Sequence, residues 1–423
     1  MTHEKDRSTI PGQTSVRESA VPTEPPGSEG VTRSRGMDRK RALAKGLEQL
    51  GRELTRTGFS AGPVEFRLVR PLEERDNGEQ VHLFERRLRH GLPGLVVVKR
   101  LQNPESFAMR QRLKEEVMLA FRLRHPAIAQ VHHFRVIDGA PHAILEYVEG
   151  PSLDALITVA VMRDRPLPPA FAVYVAAEVS DALHHAHTLT APDDGGRPLG
   201  IIHRDVSPRN IRVERGTGQV KLTDFGAAYS KRVGREETPG HLLKGDLLYA
   251  SPEYLLGAPM DARSDIFSLG VVLLEALTNR HLLGSWLLDE EPPGAAAVPG
   301  VTADEEPDLP LGQVLALMKR LSHEDVERAT ARLPDGLRAL LRRALQKDPA
   351  GRYATAAELC RELRTQLHAL LPGYGRREAA EDMSRVIVDA SAMRELGEPL
   401  EGGLYPAGLD EHELMPDAEE RSE

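Results

Sequence analysis

The stretch "IIHRDVSPRN" (Ile201–Asn210) runs two β-branched apolar residues into a polar turn that carries Asp205 and Asn210 five positions apart. A carboxylate and a carboxamide in one turn offer hard oxygen atoms, so the question is which reaction needs them together. Three other places bear on the answer. "VVVK" (Val96–Lys99) reads as a strand that ends in a cation, and Glu116 follows within an amphipathic helical pattern. "LTDFG" (Leu222–Gly226) sets Asp224 after a second strand-like piece, with Gly226 to allow the turn.

Phosphoryl transfer from ATP asks for these parts. Its transition state spreads charge over the phosphoryl oxygens, so catalysis is mostly positioning and electrostatics. A carboxylate must orient and deprotonate the incoming hydroxyl, and Asp205 suits that role. Mg²⁺ prefers carboxylate and amide oxygens, which Asp224 and Asn210 supply. The ammonium of Lys99 suits the α- and β-phosphates, and Glu116 is placed to fix it by a salt bridge.

Composition sets the outer bounds. The chain has 423 residues, room for one large domain or two ordinary ones. Charged residues make up 28% and hydrophobic residues 40%, as in soluble globular proteins. A net charge of -9 argues against nucleic acid as the main partner, because phosphate binding wants a basic face. Cys360 is the single cysteine, which excludes an intrachain disulfide and fits a reducing compartment. No apolar run approaches the ~18 residues of a membrane span, and "MTHEKDRSTIPGQ" lacks the apolar core of a secretory signal. The expected location is cytoplasmic.

Residues 1–36 hold little to bury and are expected to be disordered, with a helical extension over 37–58. From Val64 the texture is strand-like: "VEFRLVRPL", "EQVHLFERRL" and "GLVVVKRL", then the helix "FAMRQRLKEEVMLAFRLRH" stopped by Pro126, then "AQVHHFRVI" and "PHAILEYV". After Gly150 the pattern is mostly helical, broken by "NIRVE" and "VKLTD". An acidic Pro/Gly-rich insert, "DEEPPGAAAVPGVTADEEPDLP", and the segment 373–423 are expected to be mostly disordered.

In this order and spacing the chain resembles the eukaryotic-like (Hanks-type) protein kinases, especially the bacterial Ser/Thr branch. The likeness continues through "ASPEY", "SDIFSLG" and "DPAGRY", where Arg352 would pair with Glu253. It implies an α+β, bilobal protein-kinase-like fold over 64–371: a small strand-rich N-lobe with one helix (64–148) and a larger helical C-lobe (149–371). It implies ATP and Mg²⁺ as cofactors, protein hydroxyls as acceptors, and a nucleotide site lined by Leu72, Gly78, Val81, Lys99, Glu146 and Val148. Arg204 beside Asp205 suggests control by a phosphorylated activation segment, with Ser230 and Thr238 as candidate acceptors and Tyr229 behind them.

The departures are specific. In "LEERDNGEQV", Glu73 and Arg75 take the first two positions of the glycine-rich loop; Gly78 keeps the third, and one extra residue precedes Val81. Weakened ATP affinity or an outward loop is the expectation, although Arg75 could bind phosphate. Arg212 stands where an apolar residue usually floors the adenine, its stem lying flat or its guanidinium stacking on the base. Ser207 replaces the usual Lys, Arg209 sits where some tyrosine kinases carry Arg, and Asp246 replaces a Thr that commonly bonds the catalytic Asp. Adjacent residues diverge around a helix, so "HHAH" (His184, His185, His187) is read as structure and not as a metal cluster. Cys360 is read as packing. The leading reading is a Ser/Thr protein kinase in signalling. The second is a pseudokinase scaffold, which Glu73, Arg75 and Arg212 favour. The third, a small-molecule phosphotransferase, is disfavoured by "ASPEY".

Overall fold

Alternating and β-branched runs in the first part of the molecule build one antiparallel sheet. The computed structural model describes residues 58–74, 79–88, 91–102, 105–137, 139–190, 196–228, 246–284 and 311–395. The strands are β1 (Phe59–Ala61), β2 (Val64–Glu74), β3 (Glu79–Leu88), β4 (Gly94–Leu101), β5 (Val131–Ile137) and β6 (Ala140–Glu146), in the order β1-β2-β3-β4-β6-β5. β1 lies before the expected boundary at Val64; it joins the lobe because Phe59 stacks on Phe66 at 4.6 Å and meets Phe84 at 5.3 Å. Phe66, Phe84, Val96, Val98 and Ile144 form a small core under that face.

The period of two sends the other residues to the opposite face. Val81, Lys99 and Ala143 are in register across β3, β4 and β6. Helix α1 (Phe107–Ala120) packs beneath this side, started by Ser106, whose Oγ accepts from the Met109 N–H. It ends well short of Pro126, the stop read from sequence. Gln130 Nε2 bonds the carbonyls of Leu123, His125 and Ile128 and holds that stretch as turns.

The larger lobe contains α2 (Leu153–Met162), α3 (Pro169–Thr188), a hairpin of β7 (Ile211–Val213) and β8 (Val220–Leu222), α4 (Pro252–Leu255) and α5 (Arg263–Thr278). It closes with α6 (Leu311–Arg320), α7 (His323–Thr330), α8 (Asp335–Ala344), α9 (Ala356–Leu370) and α10 (Arg376–Glu395). α3 and α5 are apolar on most sides and buried at the centre of one continuous core. The connection from the small lobe crosses β7 at Gly150, where any Cβ would collide with the Val213 carbonyl oxygen. The large lobe is thus pinned to the end of β6 by backbone contact.

The segment from Gly373, expected to be mostly disordered, is helical over α10. Ala379, Met383, Val386 and Ile387 lie on one helical face and join the main core. Tyr374 Oη donates to Asp382 Oδ2 at 2.6 Å at its start. The readings of 1–36, of 37–57, of the insert at 285–310 and of 396–423 fall outside the described residues. Among the described residues, no helix is long and apolar enough to cross a membrane.

Arg352 and Glu253 meet as the sequence implied. Nη1 and Nη2 of Arg352 bond the two carboxylate oxygens of Glu253 at 2.7 and 2.8 Å. The remaining guanidinium hydrogens go to the carbonyls of Gln346, Arg263 and Lys347. Burial pushes the Glu253 carboxyl up, but Arg352 and the Ser264 hydroxyl outweigh it and hold it below the usual range. All five donors of the buried guanidinium are therefore used. Arg352→Ala leaves Glu253 buried without its countercharge. The expected loss is ~3–5 kcal/mol, seen as a thermal midpoint lower by roughly 10 °C; an unchanged midpoint would assign the pair no structural weight.

Candidate active site

Lys99 stands on the inner face of β4 with its ammonium in a ring of carboxylates. Nζ lies 2.8 Å from Glu116 Oε1 on α1, 2.8 Å from Glu79 Oε2 on β3 and 3.4 Å from Asp224 Oδ1. The sequence reading anticipated the Glu116 pair, gave Asp224 only as a metal ligand, and missed Glu79. Glu79 and Val81 alternate onto one face, but the pairing of Val81 with Lys99 that brings Glu79 to the ammonium is supplied by the fold. Burial pushes the Glu116 carboxyl above its ordinary range, Lys99 pulls it back, and Asp224 and Glu79 push it up again.

Asp224 and its neighbours are built for close approach. Asp224 has φ 55°, an uncommon left-handed conformation for a non-glycine, and its Oδ1 accepts from the Gly226 N–H at 3.0 Å. A Cβ on Gly226 would stand 2.8 Å from Asp224 Oδ1 and 3.3 Å from Lys99 Nζ. A side chain there would have to push the Asp224 carboxylate aside. Phe225 is buried, with its ring edge-on to His203 at 4.5 Å.

A buried carboxylate shapes the loop that carries Asp205. Asp265, at the start of α5, accepts from the backbone N–H groups of His203 and Arg204, both at 2.9 Å, and pairs with His187 Nε2 at 2.7 Å. Burial drives its carboxyl up, yet His187 and His203 prevail and keep it below the usual range. Arg204 takes φ 68° in this turn. Asp205 follows, its Oδ1 accepting from the Asp246 N–H at 2.8 Å. Asn210 Nδ2 donates to the Asp205 carbonyl at 2.9 Å, which turns its Oδ1 away from that bond. The Thr223 N–H donates to the Asn210 carbonyl at 2.8 Å. Asp205, Asn210 and Asp224 are therefore coupled through one short hairpin.

The other expected residues are distributed as follows. Leu72 is exposed on β2, where its neighbour Glu73 pairs with Val81. Val148 is buried in the connection between lobes. Glu146 closes β6, and Lys221 Nζ holds its carboxylate at 2.8 Å. Arg212 Nη2 donates to the Gly150 carbonyl, so its guanidinium is tied to the interlobe backbone. Ser207 is buried beside Pro208. Arg75, Gly78, Tyr229, Ser230 and Thr238 lie outside the described residues. His187 serves Asp265, and His185 stacks on His125 at 5.3 Å. Among the described residues, no group of His, Cys, Asp and Glu is arranged to hold a metal by itself. Cys360 is buried against the Ala177 carbonyl.

Asp246 replaces a hydroxyl with a second carboxyl near Asp205. Burial raises it to about 6, with Arg209 and the Leu248 N–H opposing and Asp205 and Asp154 adding to the rise. A raised carboxyl favours the fold while protonated, and that contribution is lost as pH climbs through about 6. Relative to Asp246→Asn, the wild type should lose roughly 2 kcal/mol between pH 4 and 7.5. Denaturant unfolding of both proteins at the two pH values measures this, and a pH-independent gap would refute it.

The sequence profile of the family described as "Protein kinase domain" matches residues 89–363. The tyrosine-protein kinase MasK of Myxococcus xanthus is 30% identical over 315 residues, 73% of this chain and 44% of that protein. The serine/threonine-protein kinase PknB of Mycobacterium leprae is 31% identical over 342 residues, 79% of this chain and 48% of that protein. The crystal structure of the PknI kinase domain of Mycobacterium tuberculosis aligns with a TM-score of 0.47 at 23% identity, covering 73% of this chain and 98% of that one. The chain spans less than half the length of these two sequence relatives. With the profile covering most of its length, the chain belongs to the protein kinase domain family.

Proposed function

We propose that this chain is an ATP-dependent protein kinase that transfers the γ-phosphoryl group to Ser/Thr hydroxyls of protein substrates. The observation that carries the reading is the buried Lys99–Glu116 ion pair at 2.8 Å with Asp224 beside it. That pair spans the sheet and α1, and it holds an ammonium where the phosphates of a nucleotide would lie.

Each residue then has a part. The backbone around Glu146 and Val148 meets the base, with Leu72 and Val81 on the strands beside it. Lys99, fixed by Glu116, meets the α- and β-phosphates. Asn210 Oδ1 and the Asp224 carboxylate are hard oxygen donors, the type Mg²⁺ selects. When bound, Mg²⁺ offsets charge on the phosphate oxygens. Asp205, aligned by the Asp246 N–H, orients the acceptor hydroxyl and takes its proton. Arg204 links the loop to control through phosphorylation in the segment containing Ser230 and Thr238. This intact set weighs against the scaffold reading. The names of the PknB relatives support Ser/Thr as acceptors. Ser207, Arg209 and the name of MasK make tyrosine the acceptor to test against.

Purified protein with Mg²⁺, labelled ATP and generic protein substrates should incorporate label on Ser and Thr. Lys99→Met and Asp205→Asn should each lower incorporation by about 100-fold or more. Label on Tyr alone would move the acceptor class. No label on any generic substrate, or equal label in all three proteins, would restore the scaffold reading.

A further inference from the structure

Glu79 is a buried carboxylate that the proposed chemistry does not use. It opens β3 on the same face as Val81 and Lys99, and its Oε2 lies 2.8 Å from Lys99 Nζ, with both side chains more than nine-tenths buried. An ammonium has three N–H donors. Glu79 on β3, Glu116 on α1 and Asp224 after β8 each place an oxygen within 3.4 Å of Nζ. A phosphate oxygen that binds Lys99 competes with them.

The three are not equally replaceable. Glu116 is anchored in the middle of α1, and Asp224 is held by the Gly226 N–H and serves as a metal ligand. Glu79 stands at the very start of a strand, with no turn of helix on either side to anchor it. One ammonium against three carboxylates gives a formal sum of -2 before any phosphate arrives. Like charges a few ångströms apart and largely removed from water repel one another strongly, and a polyphosphate adds more of the same sign.

We propose that Glu79 is an internal competitor for nucleotide phosphate: its carboxylate holds Lys99 in the free protein and must leave when a polyphosphate binds, which sets the affinity for ATP. The proposal rests on the reading of this site as a nucleotide site. Glu79 acts through Lys99 and is a positioning residue. Its effect falls on the phosphate chain and spares the base.

Calorimetric titration of the full chain with ATP and with adenosine, each with Mg²⁺, separates these effects for the wild type, Glu79→Gln and Glu79→Asp. Glu79→Gln keeps the shape and removes the charge. It should tighten ATP by about fivefold or more, leave adenosine within about twofold, and lower KM for ATP with kcat little changed. Glu79→Asp, which keeps the charge, should stay near the wild type. Unchanged or weaker ATP binding in Glu79→Gln would overturn the proposal, as would equal tightening of ATP and adenosine. Absence of ATP binding in both wild type and Glu79→Gln would bring down the nucleotide-site reading and the proposal with it. Binding by the wild type with no gain in the variant would sink only the role of Glu79.

Discussion

A single ammonium ion joins the parts of this molecule that the proposed chemistry needs together. Lys99 comes from the sheet, Glu116 from α1 and Asp224 from the turn after β8, and each reaches the same point in a largely dry cleft. Burying a charge is costly unless it is paired. The placement of α1 against the sheet and of the Asp224 turn against both is therefore not free to drift: separation of any one would leave charge uncompensated. The close fit at Gly226 follows from the same demand for proximity.

The large lobe solves a parallel problem with opposite sign. Asp265 is a buried anion whose hydrogen bonds to two consecutive backbone N–H groups and to His187 force the turn at His203 and Arg204. The positive φ of Arg204 is the local cost of that turn, and the anion keeps it populated. Asp205 follows directly, so its position derives from an interaction two residues upstream. Neither Asp265 nor its histidine belongs to the proposed reacting groups, yet both fix the turn from which Asp205, the proposed base, projects.

Much of this was legible in the chain because the motifs are short and rigid. The strands at "EQVHLFERRL" and "GLVVVKRL" run as read, and the ion pairs Lys99–Glu116 and Arg352–Glu253 join residues singled out in advance. What escaped was of two kinds. Glu79 carries no motif; its importance comes from strand register, which brings it diagonally against Lys99, and register depends on tertiary pairing. α10 was hidden by averaging, since the acidic composition of 373–423 masked the apolar spacing of Ala379, Met383, Val386 and Ile387. The family match itself begins at residue 89, after the strands that flank the altered loop. The part of the chain that departs most in sequence is therefore the part the match does not reach.

The helix after Gly373 has a practical consequence for anyone who trims this protein to its catalytic portion. Its apolar side covers α2 and α3, and Tyr174 and Tyr374 meet at 5.8 Å along that seam. A fragment ending at Leu371 would strip this cover and bare a strip of greasy surface on the back of the large lobe. Such surfaces invite self-association. A recombinant fragment that retains the chain through Glu395 keeps its seal; a shorter one trades solubility for brevity.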